Sequence, residues 1–323
     1  MTPRRGTLEN KIVKFPKAAA LALVLVSVTV FAQNKRSETA ARIAITFDDL
    51  PAHGPLPPGT TRLQVASKIL DALRAAGVPP TYGFVNGIGT ERQPADLAVL
   101  EAWRAAGQPL GNHAWSHMNL NQHSTEEYEA DILKNEDLLG RLSGTKDKED
   151  WHWFRYPYLA EGDTPAKKAT IRAFLSQHGY KVAAVTMSFG DYLWNEPYAR
   201  CKEKNDAKAI SAMEESFLSA ADESISYYRG LWHTLYGRDI PYVLLMHIGA
   251  LDAEMLPRLL QLYKSRGFQF VPLAEAEADE FYRNSVDLRL PAGPDMLDSA
   301  MIDRGQPLPA RISLAPLLDA ICR

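Results

Sequence analysis

Cysteine is scarce in this 323-residue chain: Cys201 and Cys322 are the only two. A disulfide framework is therefore out of reach, and the pair forms either one disulfide across the C-terminal half or two unrelated buried thiols. An excess of positive charge is missing as well, with 36 Lys and Arg against 39 Asp and Glu for a formal charge of −3. Without residues 1–32 the balance is 31 basic to 38 acidic, or −7. Nucleic-acid binding asks for a basic face, so no nucleic-acid partner is expected. A membrane-spanning run is absent too. The apolar stretch Ala18 to Ala32 has about 15 residues where about 20 are needed. No internal repeat or low-complexity segment occurs.

What is present is ordinary for a globular protein, 46% hydrophobic and 23% charged, and long enough for one large α/β domain or two smaller ones. Arg4, Arg5, Lys11, Lys14 and Lys17 precede the apolar stretch, which ends Val30-Phe31-Ala32. A basic start, a short apolar core and small residues at the end describe a secretory signal peptide over residues 1–32. Cleavage is expected near Ala32–Gln33, giving a periplasmic or secreted protein. The alternative is a retained N-terminal anchor, and only that would bring membrane association.

Short β-branched or aromatic runs alternate with amphipathic stretches along the rest of the chain. Strands are expected at 42–47, 81–85, just before Asn112-His113, 151–155, 181–187, 242–247 and 268–271. Helices are expected at 63–76, 96–106, 124–142, 165–177, 207–235, 255–264 and 272–282. Ser124 and Glu127 form a capping box, and Gly77, Gly107 and Gly179 end helices. Alternation of this kind, about seven times over, argues for a parallel sheet with helices outside. Polar residues recur at the strand C-termini, which favours a barrel with its site at that face. Residues 284–323 hold five prolines and little periodicity and are expected to wrap the barrel as a tail.

The segment Gly111-Asn112-His113-Ala114-Trp115-Ser116-His117 carries the strongest chemical signal. Four residues apart, His113 and His117 would lie one helical turn from each other and could lean toward one point. Neutral imidazoles suit zinc and its transition-series neighbours, and three protein ligands plus an open position mark a catalytic site. Asp48-Asp49, two acids closing a buried strand, are the best source of the third ligand. A histidine pair alone is weak evidence. The context that strengthens it is Arg155-Tyr156-Pro157-Tyr158 and a later apolar strand ending in His247. Blander readings exist: Arg155 as a surface arginine, Asp191 as a turn residue or helix cap, His247 as a core histidine. His53, in a loop rich in proline and glycine, reads as a surface histidine.

In order, TFDDLP, HAWSH, FRYPYL, SFGDY and LLMH resemble the motifs of the polysaccharide deacetylases, over about residues 42–282. The resemblance implies an α/β fold, a distorted (β/α)7 barrel, and metal-dependent removal of N-acetyl groups from amino sugars. It also implies a catalytic barrel over 33–283 with a helical insertion at 195–240, and a tail at 284–323. Asp49, His113 and His117 match the metal ligands, for Zn2+ with Co2+ or Ni2+ as alternatives, and Asp48 matches the general base. Arg155 matches the residue that orients the base, His247 the general acid, and Asp191 its charge partner. Tyr158 would hold the oxyanion through its backbone N–H, while Leu245 and Tyr192 would line the acetyl-methyl pocket. The expected partner is an N-acetylated carbohydrate.

Departures from the family pattern bear on the substrate. Leu50 stands where glycine is usual, Leu159 replaces another glycine, Met118 a proline, Ser188 an acid and Tyr192 a tryptophan. Ala114 lacks a hydroxyl that could support a ligand. Leu50 and Leu159 are expected to crowd the rim. The helical stretch 195–240 is expected to overhang the site and restrict it to short or unusual acylated substrates. Alternative functions are an amidohydrolase for a small non-sugar amide, a non-haem iron oxygenase using the same ligand set, and a non-catalytic carbohydrate-binding protein. The adjacent second acid speaks against the oxygenase, since oxygen activation has no use for that base.

Overall fold

The computed structural model describes residues 40–143, 151–294 and 296–323. The expected signal peptide and its cleavage point lie outside the described residues. Residues 40–323 pack as one compact unit, and no helix among the described residues is long and apolar enough to cross a membrane.

Among the described residues, seven strands form one sheet: β1 (Ala41–Leu50), β2 (Tyr82–Val85), β3 (Leu110–Asn112), β4 (Trp153–Phe154), β5 (Lys181–Val182), β6 (Tyr242–His247) and β7 (Phe268–Phe270). The order is β5-β4-β3-β2-β1-β6, with β7 paired to the start of β1, and every pairing is parallel. β1 is covered on both faces, so Ile43, Ala44, Ile45 and Phe47 are all buried, as a central parallel strand requires. Beyond β5 the chain reaches β6: Thr186 and Met187 donate backbone N–H groups to Val243 O, and Leu245 N–H donates to Met187 O. That contact curls the sheet closed into a distorted (β/α)7 barrel.

The expected strand at 181–187 is therefore interrupted. Side chains take the backbone groups in its middle: Arg155 Nε donates to Ala183 O at 2.8 Å, and Ala184 N–H donates to Glu277 Oε1 at 2.8 Å. β4 is shorter than 151–155, although the hydrogen bonds continue through His152 O and Arg155 N–H. The expected helix at 272–282 breaks into Leu273–Ala276 and a 3-10 turn at Glu280–Tyr282. Asp279 is extended there and its side chain accepts from Phe281 N–H, which starts a new turn.

Several other helices lie close to their expected bounds, although the one expected at 255–264 spans Ala250–Ser265. Arg62–Ala75 carries a capping box at Thr61 and Gln64. Thr125–Ser143 starts at the Ser124–Glu127 box, with both backbone N–H groups bonded to the facing side chain. Pro165–Gln177 has Thr164 as its cap. The long helix Ala207–Tyr236 buries a stripe from Met213 through Phe217 and Tyr228 to Trp232. It packs against Asn195–Glu203, Ala250–Ser265 and Leu297–Asp303. It also touches the turn Asp191–Trp194, which carries two of the expected site residues. The C-terminal residues are more regular than expected, with helices at Leu297–Asp303 and Ala315–Asp319. Cys201 and Cys322 form a disulfide 121 residues apart in sequence, which excludes the two-thiol alternative.

Candidate active site

The C-terminal ends of β1, β3, β4 and β6, with the loops that follow them, bring the chemically active side chains together. Seven non-glycine residues among those described have positive φ, and five of these, Asp49, Ala114, His117, Tyr158 and Leu159, belong to this region. Such backbone costs about 1–3 kcal/mol per residue and persists only where surrounding contacts enforce it.

At Asp49 (φ 65°) the chain leaves extended geometry, so Asp48 and Asp49 project differently although adjacent. Asp48 is buried and meets Arg155 Nη1 at 3.2 and 3.3 Å through its two oxygens. Arg155 is also buried, 1% exposed, which rules out a surface role. Its remaining nitrogens reach Ala183 O at 2.8 Å and Thr46 Oγ1 at 3.1 Å. Every edge of the guanidinium is thereby engaged, as a buried cation needs.

Asp49 Oδ1 lies 3.2 Å from His117 Nε2 and 3.5 Å from His113 Nε2. It is buried and has no hydrogen-bond partner. His113 Nδ1 is 2.7 Å from Arg155 O; a carbonyl only accepts, so Nδ1 carries the proton and Nε2 is left with a free lone pair. Burial, then the neighbouring His113, push the His117 imidazole down to about 4, so it is neutral near pH 7. Burial would raise Asp49, but the neighbouring imidazoles, His113 first and then His53 and His247, hold its carboxyl well below the usual range. A tetrahedral ion with bonds of about 2.0–2.1 Å has ligand-to-ligand edges of about 3.3 Å, close to both distances. One orphaned carboxylate oxygen and two convergent imidazole nitrogens fit a divalent cation.

The two imidazoles do not converge through a helical turn. Residues 113–119 are irregular, and positive φ at Ala114 and His117 folds the loop back. Buried amides hold that shape: Asn86 Nδ2 donates to His113 O and Ala114 O, and Asn112 Oδ1 accepts from Ala114 N–H. Asn135 Nδ2 in turn donates to Asn112 Oδ1 at 3.0 Å and to Val85 O at 2.6 Å. Support for the loop thus comes from amides, where Ala114 supplies no hydroxyl.

Across the site, His247 Nδ1 is 3.0 Å from Asp191 Oδ1, and His247 N–H donates to Asp191 Oδ2 at 2.6 Å. Burial opposes a charge on this histidine, but Asp191 outweighs it and raises His247 to about 10. Asp191 is fully buried; it opens the 3-10 turn Asp191–Trp194, and its carboxylate is turned to His247. Behind it sits Asp252, fully buried, with Asn195 Nδ2 on Oδ2 at 2.7 Å and no partner for Oδ1. Burial and the charge of Asp191 push the Asp252 carboxyl far above the usual range. Tyr158 stands beside His117, ring centroids 4.4 Å apart, and Tyr192 beside His247 at 5.2 Å. Leu245 is buried on β6, whereas both tyrosines are exposed at the rim.

Two expectations need correction. Leu50 is fully buried, occupying the space a side chain at Gly83 would need, so it belongs to the core and not the rim. His53 is no surface histidine: its Nδ1 lies 2.7 Å from Asp49 Oδ2, and its ring is 4.7 Å from that of His247. Sequence reasoning also passed over Asn86, Asn135, Asp252 and Glu277. A cluster of buried polar types on otherwise apolar elements was the available signal.

The fold has solved counterparts. A family 4 carbohydrate esterase (CE4) pseudoenzyme from Bacillus anthracis superposes with a TM-score of 0.52 at 15% identity, covering 74% of this chain and 66% of that one. A polysaccharide deacetylase from Bacillus cereus gives 0.50 at 19% identity, covering 72% and 91%. In sequence, the polysaccharide deacetylase family model matches residues 35–183. A peptidoglycan-N-acetylglucosamine deacetylase of Bacillus cereus is 33% identical over 135 residues, 42% of each chain. A chitin deacetylase of Colletotrichum lindemuthianum is 23% identical over 239 residues, 73% of this chain and 79% of that one. Over residues 35–183 the chain is similar to the polysaccharide deacetylase family. It spans 42% of the length of the Bacillus cereus relative and 20% of a Listeria monocytogenes peptidoglycan-N-acetylglucosamine deacetylase.

Proposed function

We propose that this chain is an exported, metal-dependent hydrolase that removes N-acetyl groups from an amino-sugar polysaccharide or oligosaccharide. The observation that carries the reading is the meeting of Asp49 Oδ1, His113 Nε2 and His117 Nε2 beside the Asp48–Arg155 pair. Export rests on the basic and apolar pattern of residues 1–32, and the barrel over 33–283 is the catalytic unit, with its helical insertion at 195–240 and the tail at 284–323.

Asp49, His113 and His117 would hold Zn2+, or Co2+ or Ni2+ in its place. Such an ion, when bound, supplies Lewis acidity and lowers the pKa of water toward about 7. Asp48, fixed in direction by Arg155, accepts the proton of the water that attacks the acetyl carbonyl. The Tyr158 backbone N–H faces the carbonyl oxygen as it gains negative charge. As the carbon–nitrogen bond breaks, His247, kept protonated by Asp191, gives its proton to the departing amine. Acetate and a free amino sugar result. Leu245 and the ring of Tyr192 bound the space for the acetyl methyl group.

An acetate-release screen over chitooligosaccharides, peptidoglycan fragments and poly-N-acetylglucosamine tests the reading. Release from at least one of these N-acetylated glycans, lost on adding chelator, is expected. Glycan binding without release would leave a carbohydrate-binding protein instead, and release only from small non-sugar amides would move the substrate class.

A further inference from the structure

We propose that His53 is a positioning residue for Asp49: it holds the Oδ2 oxygen so that Oδ1 alone is presented to the divalent ion. The proposal rests on the metal-site reading above and adds to it a residue outside the ligand set. A carboxylate that binds a cation is ionised and can only accept hydrogen bonds. The 2.7 Å contact between His53 Nδ1 and Asp49 Oδ2 is therefore a donation from the imidazole. The two oxygens of Asp49 are consequently unlike. Oδ2 is engaged by His53, while Oδ1 is buried, unpartnered and turned to His113 and His117.

His53 is itself held from three sides. Arg62 Nη1 donates to its carbonyl at 2.9 Å, and Arg62 Nη2 donates to Gly54 O at 2.6 Å, tying the loop to the helix Arg62–Ala75. The ring lies 4.7 Å from that of His247 and 6.2 Å from that of Tyr192. Partners that orient a ligand commonly change metal affinity 10–100-fold when removed. Asp49, His53 and His247 could together surround a cation of their own, in which case His53 would be a ligand and not a brace.

The test is a zinc titration against a competing chelator, on the full chain and on His53→Ala, His53→Asn and His117→Ala, with melting curves to establish folding. An asparagine amide places a donor near the position of imidazole Nδ1. One zinc per wild-type chain is expected, bound about 10–100-fold more weakly by His53→Ala, restored to within a few-fold by His53→Asn, and lost in His117→Ala. Affinity unchanged in His53→Ala but lost in His117→Ala would overturn the proposal alone. So would two zinc ions per wild-type chain with one lost in His53→Ala, or a folded His53→Asn no better than His53→Ala. Zinc binding indifferent to His117→Ala would overturn the metal-site reading, and this proposal with it.

Discussion

Asp48 and His247 are register partners across the β1–β6 ladder. The groups proposed as base and acid therefore sit on adjacent strands, each backed by an opposite charge from another part of the barrel: Arg155 behind Asp48, Asp191 behind His247. Asp48→Asn keeps the size of the side chain and removes its capacity to take a proton. Acetate release should fall by at least about 100-fold while zinc stoichiometry stays at wild type. Unchanged turnover would contradict the role given to Asp48.

Arg155→Ala should act on stability as well as rate. It leaves the Asp48 carboxylate buried without its counter-charge, which costs about 3–5 kcal/mol when a buried pair is broken. Removing both charges in Asp48→Asn/Arg155→Met should recover part of that loss. Denaturant unfolding of Asp48→Asn, Arg155→Met and the double variant measures the coupling, and additive losses would argue that the pair contributes nothing as a pair.

Asp252 gives a pH signature. Its carboxyl is raised far above the ordinary aspartate range in the folded chain, by burial and by the Asp191 charge. The folded state then holds this proton more tightly than the unfolded state, so the contribution of Asp252 to stability falls as pH rises above about 4. Asparagine has no proton to lose and can keep the bond with Asn195. Asp252→Asn should gain in melting temperature relative to wild type between pH 5 and pH 8. A difference that is flat with pH would contradict a protonated Asp252.

The Cys201–Cys322 disulfide ties the C-terminus to the helix Asn195–Glu203, 121 residues upstream. Chain-entropy arguments give a loop of that length about 4–5 kcal/mol, an upper figure for a real bridge. The Cys201→Ser/Cys322→Ser variant should unfold at lower denaturant than wild type by up to that amount. Identical unfolding curves would show that the tail is held by packing alone.

Much of the fold was legible because local chemistry and tertiary position agree. β6 spans Tyr242–His247 as its apolar run implies, and Pro165–Gln177 follows from a Thr164 cap, a proline in the first turn and the stop near Gly179. The site was legible as residue types and less so as geometry. Little in His113-Ala114-Trp115-Ser116-His117 itself specifies positive φ at its second and fifth residues; beside the adjacent Asn112, the loop is held by Asn86 and Asn135, which come from two other parts of the chain. His53 was obscured by its proline-rich surroundings, which describe a loop well and say nothing of where it folds. Strand β5 failed as a pattern because Arg155 and Glu277 take backbone groups in the middle of its apolar run.

Metal dependence of acetate release is the most direct test of the central claim, that Asp49, His113 and His117 gather one divalent ion that drives amide hydrolysis. Elemental analysis of the purified chain should give one bound ion. Chelation should abolish acetate release from an N-acetylglucosamine oligomer, and stoichiometric zinc should restore it in wild type but not in His113→Ala. Full activity in metal-free protein, or an unchanged metal content in His113→Ala, would contradict the account.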